Sequence, residues 1–191
     1  NLVFWNTADG SFSGDTLGVT NFPLAFEFSH DSKMVAAGNY EGKVQLWKNK
    51  SGARNELRTL SKRNTWNDVS EVSFSPDDRL LVAVSNMFAY KKKMPENLKL
   101  WDVDTGRLLW GKEGERLDVV SFSPDGKSIV TGGSGAVQIW DINGNLIRKV
   151  LIDDKVLSKV RVLNDGRIIA CAAEKNDIKI WSIDPEPNVV H

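Results

Sequence analysis

The feature that most constrains this chain is a short alternating apolar stretch that ends in tryptophan and recurs about every forty residues. It is clearest at residues 98–102 and 137–141, where the tryptophan is followed by aspartate, and its core is repeated around three further tryptophans. The five tryptophans stand at positions 5, 47, 101, 140 and 181, so the intervals are 42, 54, 39 and 41 residues. A period near forty carried by short strands predicts an array of propeller blades.

A second motif keeps the same period and precedes the tryptophan in each repeat. Residues 74–78 and 122–126 read Phe-Ser-Pro-Asp followed by Asp or Gly, and residues 28–32 and 162–166 are weaker copies. Proline presets φ for a turn, and the Asp-Gly or Asp-Ser pair accepts the tight bend that follows. Two motifs in a constant order, four times over, therefore define the repeat.

Together these motifs resemble those of the WD-repeat β-propeller family, and the resemblance covers nearly all 191 residues. It implies an all-β fold of four-stranded antiparallel blades, with about four blades present as part of a larger ring. We expect residues 1–191 to form a single propeller region. Its predicted divisions are the end of a preceding blade (1–20), then blades at 21–60, 66–112 (with an insertion at 86–97), 113–150 and 151–191, the last incomplete.

The first strand of the sequence, residues 2–6, has the pattern of a third strand within a blade. Propeller rings of this architecture hold roughly 4–8 blades, and closure removes exposed sheet edges. We therefore expect an open arc. Either the chain is a fragment whose other blades lie outside these residues, or it closes by pairing with another copy or a partner chain.

Composition excludes several classes of function. Lys and Arg number 25, as do Asp and Glu, and this zero formal charge argues against a generally basic nucleic-acid surface. The single cysteine, Cys171, cannot form an internal disulfide, which favours an intracellular, cytoplasmic protein. Nothing approaches the roughly 18 consecutive apolar residues of a membrane-spanning helix, so no membrane partner is expected.

The residues that commonly carry catalysis are scarce. Of the two histidines, His30 occupies a turn and His191 is the last residue, while Cys171 lies within an apolar run. We predict no enzyme activity, no cofactor and no metal site. An enzyme or small-molecule binder that uses the central channel stays open as an alternative, although the inner strands at 25–28 and 119–122 offer few polar candidates.

The repeated tryptophans are expected to be structural, each filling the space between neighbouring blades, so that replacement by alanine costs about 3–5 kcal/mol. In the family, tryptophan joins a Ser or Thr, a His and an Asp in a hydrogen-bonded network. This chain departs from that pattern, since Glu41 and Ser134 occupy the Asp place and no Gly-His pair occurs. We expect the blades to be held mainly by apolar packing.

The resemblance also implies where a partner binds, namely on the rim where fourth strands lead to first strands and second strands lead to third strands. The insertion at 86–97 belongs to the same rim and mixes aromatic residues with lysines, which suits an adaptable contact surface. The candidate residues are Phe22, Leu24, Tyr40, Trp66, Asp68, Ser70, Phe88, Tyr90, Lys91, Lys92, Lys93, Arg116 and Asp118, with Gly133, Val156 and Ser158 at further matching positions.

The function that the sequence favours is a non-catalytic protein–protein interaction module, a scaffold or sensor domain that presents its rim to a protein or peptide. A second alternative is nucleic-acid binding through the 86–97 loop, where Phe88 and Tyr90 could stack bases beside the three lysines.

Overall fold

The structure, a computed structural model, describes residues 2–17, 22–48, 56–61, 68–86, 94–152, 157–174 and 177–183. In those ranges all regular structure is β, and every paired strand is antiparallel. The described ranges form five sheets: a hairpin, three four-stranded sheets and one three-stranded sheet. The expected all-β fold of four-stranded antiparallel blades is confirmed.

The hairpin consists of β1 (Leu2–Trp5) and β2 (Phe12–Leu17). The four sheets that follow are numbered as blades 1 to 4, and in each the strands are neighbours in chain order. Blade 1 contains β3 (Pro23–Phe28), β4 (Met34–Asn39), β5 (Val44–Lys48) and β6 (Glu56–Thr59). Blade 2 contains β7 (Val69–Phe74), β8 (Leu80–Ser85), β9 (Met94–Asp102) and β10 (Leu108–Gly114). Blade 3 contains β11 (Val119–Phe122), β12 (Ser128–Gly133), β13 (Ala136–Asp141) and β14 (Leu146–Leu151). Blade 4 contains β15 (Lys159–Val162), β16 (Ile168–Glu174) and β17 (Asp177–Ile183).

The turn between the first and second strands is built alike in blades 1 to 3. A serine hydroxyl donates to the carboxylate two residues later at 2.6–2.8 Å and accepts the N–H that enters the second strand at 2.8–2.9 Å. The aspartates of these turns accept a further backbone N–H, and the hydrogen bonds lower their pKa values. The Ser–Asp pairs are Ser29–Asp31, Ser75–Asp77 and Ser123–Asp125.

Neighbouring blades pack through three apolar clusters, one at each blade interface. The first strands of successive blades lie side by side, β3 against β7, β7 against β11, and β11 against β15. Between blades 1 and 2 the approach is so close that a Cβ on Gly38 would overlap the side chain of Val69. Between blades 2 and 3 the core includes Leu98 and Val120, both fully buried. Each blade thus buries its face against the next.

The five motif tryptophans do not have equal surroundings. Trp47 and Trp101 are 4% and 1% exposed, and Trp140 is half-buried. Trp5 is 63% exposed and contacts the ring of Phe12 across its hairpin, with centroids 5.8 Å apart; among the described residues no sheet covers it, so a blade-filling role for Trp5 stays a prediction. The side chain of Trp181 lies outside the described part of the chain.

Blade 3 contains one contact of the polar network that the resemblance implies. The indole Nε1 of Trp140 donates to Thr131 Oγ1 at 3.0 Å, and Thr131 is fully buried. The positions in register with Thr131 hold Ala37 in blade 1 and Ala83 in blade 2, which have no hydroxyl. This polar contact adds to the apolar clusters that pack blade 3 against both of its neighbours, as expected of mainly apolar packing.

The connection between the second and third strands of blade 2 is shorter than the insertion expected at 86–97. The reason is that β9 begins at Met94, which pairs with Gly114. Asn97 is buried and its amide donates to the Glu115 carbonyl. Lys99, also buried, forms an ion pair with Glu96 at 3.3 Å, and burial lowers the pKa of Lys99. The last four residues of the insertion are therefore part of a strand. The described ranges contain no helix that is long and apolar enough to cross a membrane.

Candidate functional site

A polar cleft of about 540 Å³ opens at the end where the first strands of the four blades begin. All four blades contribute to it, because β3, β7, β11 and β15 lie side by side around it. Of the residues expected on the binding rim, those that line this cleft are Leu24, Ser70, Arg116, Asp118 and Ser158. The structure thus brings together candidates from four consecutive repeats.

Two further candidates, Phe22 and Tyr40, lie beside the cleft without lining it. The N–H of Tyr40 donates to the Phe22 carbonyl at 3.1 Å, and the two side chains are 60% and 81% exposed respectively. Phe22 has a φ of 44°, a conformation that bulky residues rarely adopt. Leu24 is 50% exposed. We call Phe22, Leu24 and Tyr40 the apolar shoulder, since they present large apolar side chains to solvent at the blade 1 side of the cleft.

The blade 3 wall of the cleft is held by hydrogen bonds around Asp118. Its Oδ1 accepts from Arg116 Nε at 2.7 Å and from Asn86 Nδ2 at 3.1 Å, and its N–H donates to the Gly132 carbonyl at 2.8 Å. Its other oxygen, Oδ2, is buried and has no hydrogen-bond partner among the described residues. A Cβ at Gly133 would overlap the Arg116 backbone, which explains why glycine stands there.

Asp68 is the candidate whose placement least suits a binding role. It is buried and does not line the cleft, and its carbonyl accepts the N–H of Asn86 at 3.1 Å. Seven other expected contacts fall outside the described residues, so the structure neither supports nor opposes them: Trp66, Phe88, Tyr90, Lys91, Lys92, Lys93 and Val156.

Four charged side chains on the first strands were missed by the sequence reasoning, which expected few polar residues to converge there. Glu27 on β3, Glu71 on β7, and Lys159 and Arg161 on β15 all line the cleft. Glu71 Oε1 forms an ion pair with Lys159 and lies 3.9 Å from Arg161. Glu27 and Arg161 also line a second cleft, of about 360 Å³, at the other end of the first strands. One signal in the sequence could have indicated this cluster: Lys159 and Arg161 lie two residues apart in one short strand, which places both side chains on the same face.

Each of the two glutamates also joins its blade to the next. Glu27 Oε2 accepts the N–H of Phe74 at 2.5 Å, and Glu71 Oε2 accepts the N–H of Val120 at 2.7 Å. The first strands are sheet edges, so these amides have no ladder partner on that side. Burial raises the pKa of Glu27, although the Phe74 amide and the positive charge of Arg161 act in the opposite direction.

The two residues considered for catalysis, His30 and Cys171, belong to a turn and to a strand of the blades. The Nδ1 and N–H of His30 contact Asp78 Oδ1 at 2.9 and 2.7 Å, and the N–H of Asp31 donates to Asp78 Oδ2 at 2.9 Å. These contacts join the turns of blades 1 and 2. Cys171 is a half-buried free thiol on β16. Within the described residues no group of three or more His, Cys, Asp or Glu side chains could hold a metal ion.

The blades and the cleft define a β-propeller with a rim built by consecutive repeats, and comparison with known proteins agrees. Residues 114–141, which span the first three strands of blade 3, match the family model described as WD domain, G-beta repeat. Blade 3 is also where the Thr131–Trp140 hydrogen bond occurs. In fold and in these motifs the chain is similar to proteins of the WD-repeat family.

Individual proteins show the same similarity. The chain is 35% identical over 130 residues to a WD repeat-containing protein WDS homolog of Arabidopsis thaliana, which covers 64% of the chain and 23% of that protein. It is 26% identical to autophagy-related protein 16 of the same plant over 96% of the chain and 35% of that protein. Actin-interacting protein 1 of Caenorhabditis elegans is 24% identical over 86% of the chain and 28% of that protein. The chain thus spans about a quarter to a third of the length of these relatives.

Proposed function

We propose that the chain is a non-catalytic interaction module that holds a protein or peptide partner over the cleft, with residues 1–191 acting as one propeller region. The observation that carries the proposal is the convergence of rim residues from four consecutive blades on a single cleft. Sites of this kind form where several elements meet in a concave surface with a few polar groups.

The apolar shoulder adds the second part of a binding surface. Exposed aromatic and aliphatic side chains at the edge of a polar cleft are the groups that anchor protein partners, because their burial supplies most of the free energy of association. The C. elegans relative is named for its interaction with actin, and a role in protein recognition for this chain is consistent with that name.

The alternative function is a ligand site or reaction centre in the central channel. The residues that favour this alternative are Glu27, Glu71, Lys159 and Arg161. Both glutamates, however, already accept a backbone N–H of the next blade. Glu71 in addition pairs with Lys159. These contacts give the carboxylates a part in joining blades, and the geometry favours the interaction module.

The test compares two exposed leucines of nearly equal exposure, Leu24 on the cleft (50%) and Leu146 on the outer strand β14 (48%). Each is changed to aspartate, and the proteins recovered with the tagged chain from cell extract are quantified by mass spectrometry. Leu24→Asp should remove most of the recovered partner and Leu146→Asp should leave it. Equal recovery with wild type and Leu24→Asp, or equal loss with both variants, would overturn the proposal.

A further inference from the structure

The charges of the cleft are arranged by depth. Side chains of Lys159 and Arg161 are 46% and 48% exposed, and that of Arg116 is 30% exposed. The carboxylates lie deeper, since the side chain of Glu71 is 13% exposed and that of Asp118 is 5% exposed. The cleft is lined by three acidic and three basic side chains, and the most exposed of the six are the cations Lys159 and Arg161.

Glu71 holds the two cations of β15 in place. One oxygen accepts the Val120 N–H and the other faces Lys159 and, at 3.9 Å, Arg161. The Arg161 guanidinium also donates through one nitrogen to the Val160 carbonyl at 3.0 Å. An ammonium group has three donors and a guanidinium five, so each cation keeps donors that can face a ligand. The pair is therefore oriented before any ligand arrives.

We propose that the cleft binds an acidic peptide segment, whose carboxylates contact Lys159 and Arg161 while an apolar residue packs against Leu24. This inference rests on the proposed function and names the chemistry of its partner. Lys159 and Arg161 are alternate residues of one strand, so they face the same side about 6–7 Å apart. Leu24, on the opposite wall of the cleft, is 50% exposed.

A peptide fits this surface better than a nucleic-acid strand does. A strand carries a negative charge at every phosphate, and the carboxylates of Glu27, Glu71 and Asp118 line the same cleft as the cations. A peptide can place one or two carboxylates at the cations and apolar side chains elsewhere. Arginine favours such a partner because its planar fork matches a carboxylate.

The test measures fluorescence anisotropy of a labelled hexaglutamate peptide with the full 191-residue chain at low and high salt. Lys159→Gln and Arg161→Gln should each weaken binding by about twofold to fivefold, as expected for partly exposed charge pairs. Glu71→Gln should instead tighten it, because removal of the competing negative charge outweighs the loss of the orientation that this charge gives the cations, and the amide oxygen can still accept the Val120 N–H. Lys127→Gln, an exposed lysine in the β11–β12 turn, is the matched control and should change nothing.

The gain expected from Glu71→Gln cannot come from misfolding. Unchanged affinity in all three cleft variants, or equal loss with Lys127→Gln, would overturn the acidic-peptide inference. Equally tight binding of a labelled six-nucleotide thymidine strand would overturn it in favour of nucleic acid. If partner recovery from extract depends on Leu24 but not on Lys159 and Arg161, the proposed function stands and this inference fails. If recovery does not depend on Leu24, the proposed function itself fails.

Discussion

Replacement of Trp101 by alanine is expected to be far more costly than the same change at Trp5, although both tryptophans occupy the same place in the repeat motif. Trp101 is 1% exposed in the core between blades 1 and 2, whereas Trp5 is 63% exposed on a two-stranded hairpin. A large aromatic side chain buries about 200 Å², and at about 25 cal/mol per Å² its transfer to water costs about 5 kcal/mol. Alanine keeps part of this contact, so we expect Trp101→Ala to cost about 3–5 kcal/mol.

For Trp5 only about a third of the side chain is removed from water, so the same arithmetic gives a cost of about 1–2 kcal/mol for Trp5→Ala. The assay is urea denaturation followed by circular dichroism, with the free energy of unfolding compared between variants. A domain of this size is stable by about 5–15 kcal/mol, so Trp101→Ala could leave little folded protein. Trp101→Phe, which keeps a ring in the site, then gives a measurable intermediate loss. Equal losses at Trp5 and Trp101 would refute the claim that burial between blades, and not the motif, sets the contribution.

Three other outcomes follow from the structure. Thr131→Val should cost about 1–3 kcal/mol, because it leaves the Trp140 N–H without its acceptor, and a double-mutant cycle with Trp140→Phe should show coupling of about 1 kcal/mol; additive losses would contradict the bond. Gly38→Ala should lower the free energy of unfolding by about 1–3 kcal/mol, since the new methyl overlaps Val69; an unchanged denaturation midpoint would contradict this. The Lys33 amide and the Ser29 hydroxyl lower the pKa of Asp31 from 3.8 to about 2, so its stabilising effect is complete above about pH 4 and is lost as pH falls towards 2; a stability difference between wild type and Asp31→Ala that stays constant over that range would contradict it.

The strands could be predicted from sequence because the alternating pattern and the turn motifs recur. β4 and β5 lie in the range 21–60 that was predicted to form one blade, and β8 lies in the range 66–112 of the next. The prediction failed where a local pattern could not reveal pairing. β9 starts as early as Met94 because β10 extends to Gly114 and pairs with it there. The local sequence contains no pattern that predicts this longer pairing.

The site was predicted in part, for a physical reason. Rim positions such as Ser70 and Asp118 follow from the repeat register, so the resemblance could place them on one side of the molecule. The charged cluster depends on contacts between strands far apart in sequence, such as Glu71 with Lys159, which are 88 residues apart. Likewise, the burial of a tryptophan depends on the sheet that covers it, so the motif at Trp5 could not reveal its exposure.

The most direct measurement of the central claim, that the cleft is where a partner binds, is site-specific photo-crosslinking in cells. A benzophenone amino acid is placed at Ser158, an exposed residue of the cleft, and separately at Lys127, an exposed residue of the turn after β11. The two sites lie at opposite ends of the first strands. We expect a discrete crosslinked protein from Ser158 that the Leu24→Asp change abolishes, and none from Lys127. The same crosslinked protein from both sites, or a Ser158 crosslink that persists with Leu24→Asp, would contradict the account.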